Sequence, residues 1–83
     1  MPQQVDRLTL MEWIVDALRH HGGKAHWLAV YKHIWQNHRQ ELEASGDFFF
    51  KWQYDGRWSA QELRKKGVLK TGKESPKGIW ELV

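Results

Sequence analysis

Eighty-three residues suffice for one domain close to the lower size limit for a self-supporting hydrophobic core. The absence of cysteine excludes a disulfide framework and a thiolate metal site and suits a cytoplasmic protein, and no run nears the roughly 18 apolar residues of a membrane span. The net charge of +3 is uneven: Lys51 to Lys77 holds eight basic side chains against Asp55, Glu62 and Glu74, which is +5, and leaves −2 for the rest, as expected of a chain that turns one face to a polyanion.

In chain order, Met1 to Leu8 lack periodicity and read as a loosely ordered lead-in to a single domain spanning residues 1–83. Thr9 with Glu12 forms a capping box. Leu10, Trp13, Ile14, Ala17 and Leu18 then recur at helical spacing until Gly22-Gly23. Lys24-Ala25 allows only a turn or a bridge of strand. A second stripe, Trp27, Val30, Tyr31, Ile34 and Trp35, predicts a helix from His26 to Asn37, followed by a loop or weak helix (Arg39 to Ala44) within His38 to Asp47.

From Phe48 to Tyr54 two readings compete. Phe50, Trp52 and Tyr54 alternate with Lys51, Gln53 and Asp55, and Asp55-Gly56 is a hairpin signal. Projected as a helix, which is the preferred reading, the segment instead groups Phe49, Trp52, Gly56, Ser59, Ala60 and Leu63 on one side and Tyr54, Arg57, Trp58, Gln61 and Lys65 on the other. Under both readings Arg57 to Lys66 is helical and ends at Gly67. Val68 to Thr71, the turn-rich Gly72 to Gly78 and Ile79 to Leu82 then predict a terminal two-stranded hairpin. Three helices closed by such a hairpin, with the last helix and the hairpin loop basic, describe an α+β winged helix-turn-helix.

The stretch from Gly56 to Leu69, closing with Gly78 to Leu82, resembles the N-terminal winged-helix domain of Mrr-type restriction endonucleases and is similar to the HARE-type helix-turn-helix. Trp58, Ser59, Leu63, Lys65, Lys66, Gly67, Ile79 and Trp80 follow the order of those families, with Ser59 where alanine is common. The resemblance implies a module that binds double-stranded DNA in a restriction or defence setting, beside a nuclease or other effector domain. Readers of methylated bases occur in such systems, so it also implies methyl sensing, for which Trp58 is the candidate.

The residues point the same way. A helix in the major groove needs long polar side chains on its outer face, and Tyr54, Arg57, Trp58, Gln61 and Lys65 are the expected base-reading set. Lys51, Lys70, Lys73, Ser75 and Lys77 are the expected contacts to phosphate, along the helix entry and the wing. Six tryptophans exceed the needs of a small core: Trp13, Trp27, Trp35 and Trp80 are expected inside, Trp52 is ambiguous, and Trp58 either packs beneath the wing or meets a base. No catalytic group, metal site or cofactor loop is expected. The pairs His26 with His33 and His33 with His38 lack metal-ligand spacing, and the helix histidines read as solvent-exposed. The expected form is a monomer. The rival reading is a protein-interaction winged helix that docks through Trp58, Tyr54 and the wing.

Overall fold

The computed structural model describes residues 5–83, so the expectation for Met1 to Gln4 lies outside the described residues. In chain order the elements are α1 (Arg7–His20), β1 (Lys24–His26), α2 (Trp27–Glu43), a 3-10 turn (Gly46–Phe50), α3 (Trp52–Lys65) and β2 (Ile79–Glu81). Three α-helices and a two-stranded antiparallel sheet make a small α+β domain.

The first helix starts earlier than Thr9. Asp6 caps it, accepting from the Thr9 amide at 2.9 Å and the Thr9 hydroxyl at 3.1 Å, and these bonds hold its carboxyl below the usual carboxylate range. Arg7 and Leu8 are therefore helical rather than part of a lead-in, and Val5 is buried. The apolar stripe of α1 packs chiefly on α3, with Leu10, Ile14, Ala17 and Leu18 wholly excluded from solvent. Each buried leucine or isoleucine contributes about 1.5–3 kcal/mol.

In α2 the regular helix breaks where Asn37 was expected to end it. His38 leaves helical geometry (φ −129°, ψ 21°), and Asn37 Nδ2 donates to the His33 carbonyl at 2.8 Å. The chain does not become a loop there: the helix resumes, runs to Glu43, and returns Leu42 to the core. The His38 ring lies flat on Trp13, with centroids 3.8 Å apart, and its Nδ1 sits 2.8 Å from the Glu41 carboxylate.

The aromatic run from Phe48 divides between the 3-10 turn and α3, so the strand alternative is overturned. One side of α3 buries Trp52, Gly56, Ser59, Ala60 and Leu63, as the helical projection has it, together with Asp55. At its end Gly67 adopts φ +78°, so that the Val68 amide bonds the Leu63 carbonyl at 2.9 Å and the Gly67 amide the Arg64 carbonyl at 3.1 Å, a Schellman closure.

The expected terminal hairpin is largely replaced. β2 pairs with β1 in the register Lys24 with Glu81, Ala25 with Trp80 and His26 with Ile79. Of the Val68–Thr71 strand there remains a single bridge, Leu69 to Leu82, flanked by bonds from Lys70 to Glu81 and from Val83 to Val68. The three residues after Gly23 thus form the principal partner of the terminal strand. Trp80 lies inside, 7 % exposed, in edge-to-face contact with Tyr31.

Candidate nucleic-acid interface

Two anchors hold α3 in place. On the α1 side, Arg7 Nε and Nη2 lie 3.2 and 3.1 Å from Asp55 Oδ1, and Ser59 Oγ donates to the Arg7 carbonyl at 3.2 Å. Asp55 is 3 % exposed, and its place in the first turn of α3 adds the favourable field of the helix N-terminus to that of Arg7. On the α2 side, the Tyr31 hydroxyl donates to the Gln53 carbonyl at 2.6 Å, and burial pushes its pKa up to about 12, with Arg57 opposing. Gly56 allows that approach, since a Cβ there would sit 3.0 Å from Tyr31 Oη and 3.1 Å from its Cε1. The Asp55-Gly56 pair therefore serves helix packing instead of a hairpin turn.

With one side fixed, the other is free. Tyr54, Arg57, Trp58, Gln61 and Lys65 are all exposed on the opposite side of α3, Tyr54 at 72 % and Trp58 at 39 %. Trp58 is not buried, against the expectation of burial beneath the wing. The Arg7 guanidinium covers one ring face, 4.3 Å from the centroid, and so joins Asp55 and Trp58 through a single cation. Sequence reasoning left Arg7 out, because its partners lie 48 and 51 positions away.

The loop after α3 is tied by its own side chains. Glu74 accepts from the Thr71 amide at 3.2 Å and the Thr71 hydroxyl at 3.0 Å, and both bonds lower its pKa. The acid is thereby committed inside the loop, while Lys73 and Lys77 are exposed. Thr71 and Gly72 face Gln61, Arg64 and Lys65 across a shallow cleft of about 420 Å³, so the loop borders the exposed side of α3.

The expected phosphate contacts divide. Lys51, Lys73 and Lys77 are exposed and stand in no ion pair among the described residues. Lys70 is half-buried and bound to Glu81 at 3.2 Å, and Lys65 lies 3.3 Å from Glu62 at the surface. Ser75 is turned inward, 7 % exposed, its hydroxyl without a hydrogen-bond partner, so it offers nothing to a ligand in this conformation.

Elsewhere, Trp27 is 37 % exposed and Trp35 half-buried, contrary to their expected place in the core, whereas Trp52 is inside. His20, His21 and His33 gather with ring centroids 4.8 to 5.8 Å apart, an association of two helices that linear spacing does not show. Burial, then the neighbouring imidazoles, hold His33 below its usual value. It is half-buried, as is His38, against the expectation of exposure, while His26 caps α2 by accepting from the Leu28 amide at 3.1 Å. Among the described residues no group of three His, Cys, Asp or Glu side chains is arranged to hold a metal ion, and no helix is long and apolar enough to cross a membrane. No protein-family model, curated protein or solved structure matches this chain.

Proposed function

We propose that the domain is a winged helix-turn-helix that binds double-stranded DNA, with α3 as the reading helix and the Thr71 to Gly78 loop as the wing. The reading is carried by one observation: a helix locked to the core on one side presents Tyr54, Arg57, Trp58, Gln61 and Lys65 together on the other, next to a loop bearing Lys73 and Lys77. Arginine matches the acceptor pair of guanine and glutamine the donor–acceptor pair of adenine, while the lysines suit phosphates. Methylation sensing is part of the proposal, with Trp58, which stacks on Arg7 and is partly exposed, as the side chain that would pack on a base methyl group. The resemblance of Gly56 to Leu82 to the winged helices of restriction enzymes supports the same reading and adds an effector domain as partner.

A salt titration tests it. Three to five phosphate contacts predict that log K for a duplex falls against log salt with a slope of about −2.7 to −4.5. Failure to bind any duplex at low salt, methylated or not, refutes the proposal. The protein-interaction rival predicts binding that hardly responds to salt.

A further inference from the structure

A second surface, apart from the exposed side of α3, runs between α2 and the segment that enters α3. It is an open groove of about 540 Å³, within the roughly 300–1,000 Å³ that binding clefts occupy. One wall is the outer side of α2, where Trp27, Leu28 and Trp35 line the groove, Leu28 at 45 % exposure. The other wall is Phe49, 6.0 Å from Trp35 between centroids, and Tyr31 and Trp52 floor it in edge-to-face contact. A single exposed apolar residue is ordinary, but exposed Trp27 and Leu28 beside half-buried Trp35 and Phe49 along one cleft form a patch that a partner would cover.

The walls also restrict the kind of partner. Both are helical or 3-10 backbone, so they present no strand edge to which an extended peptide could add. An occupant must bring a backbone already satisfied, which a helix does. Charge supplies the second restriction. Lys32 lines the groove and Lys51 immediately precedes its floor residue Trp52 in the chain; both are exposed and in no ion pair among the described residues, and no Asp or Glu lines the cleft.

We infer that this groove docks an amphipathic helix of another polypeptide, with leucine- or phenylalanine-sized side chains on its inner face and Asp or Glu on its flanks. The inference does not depend on duplex binding, since none of the residues lining the groove belongs to the base-reading set or the wing, and only Lys51 beside it is shared with the expected phosphate contacts.

The test uses two synthetic helices of about four turns with the same leucine face, one flanked by glutamate and one by lysine. The indole N–H signals of Trp27 and Trp35 report the groove by NMR. The glutamate helix should shift both signals and bind at least about tenfold more tightly than the lysine helix. Lys32→Glu, an exposed substitution expected to leave the thermal midpoint unchanged, should abolish that preference, and Leu28→Asp should abolish binding of either helix. Equal affinity for the two helices, preference for the lysine helix, or no shift of the indoles overturns the proposal. So does a duplex that moves these two indoles while the glutamate helix does not, because the groove would then belong to nucleic acid.

Discussion

Substituting Gly56 by alanine sets two effects of opposite sign against each other. In an exposed helix interior the change stabilises by about 1 kcal/mol, because alanine loses less backbone freedom on folding. At this position the new Cβ would lie 3.0 Å from Tyr31 Oη, 3.1 Å from Cε1 and 3.3 Å from Cζ. The ring cannot yield freely, being 6 % exposed and tied by its hydroxyl to the Gln53 carbonyl at 2.6 Å. Overpacking of this kind costs about 1–3 kcal/mol, and displacing the ring exposes the hydrogen bond to a further loss of about 1–3 kcal/mol. The steric cost outweighs the gain, for a net destabilisation of about 1–5 kcal/mol. Urea unfolding followed by circular dichroism and tryptophan fluorescence measures it. Repeating the change in a Tyr31→Phe background removes the nearest atom and should shrink the penalty, which a double-mutant cycle reads directly. A rise in stability on Gly56→Ala would refute the packing of α2 on α3, and with it the placement of the exposed side of α3.

Three further outcomes are expected. Leu63→Ala, at a site 4 % exposed, should cost about 2–5 kcal/mol and unfold much of so small a domain, whereas Trp58→Ala should leave a cooperative thermal transition and weaken duplex binding; equal unfolding by both would place Trp58 in the core. Tyr31 titrates near 12 in the folded chain against an ordinary value of 10, so its contribution is full below pH 10 and is lost as the pH rises towards 12; the stability difference between wild type and Tyr31→Phe should narrow over that window, and parallel curves would contradict it. Arg57→Ala and Gln61→Ala should change which duplexes are preferred, while Lys73→Ala and Lys77→Ala should weaken all duplexes alike; anisotropy on a panel of sequences separates the two patterns, and uniform losses for all four would refute the assignment.

Much of the helical frame is legible in the sequence because it is local. Leu10, Trp13, Ile14, Ala17 and Leu18 repeat with the period of a helix, and so do the two sides of α3, which the structure separates as the projection does. What the sequence hides is pairing at a distance. β1 is three residues long and acquires its identity only from Ile79–Glu81, more than fifty positions on, so Val68 to Thr71 looked the better partner. Asp55-Gly56 carries the local mark of a tight turn, yet its glycine answers to Tyr31 and its acid to Arg7, neither of which is near it in the chain. Trp27 falls on the apolar stripe of α2 but is the first residue of the helix and 37 % exposed there, and periodicity does not register where burial along a stripe stops. Ser75 shares a basic turn with Lys73 and Lys77, and only the fold of that turn distinguishes the buried side chain from the exposed ones.

The measurement that bears most directly on the proposed function is an NMR titration of the assigned domain with a short duplex, unmodified and methylated, at low salt. The account predicts that the largest amide and side-chain shifts fall on Tyr54, Arg57, Trp58, Gln61 and Lys65 and on Lys73 and Lys77, and that the Trp58 indole separates the two duplexes. Shifts concentrated on Trp27, Leu28 and Trp35, or no shifts with either duplex, would contradict it.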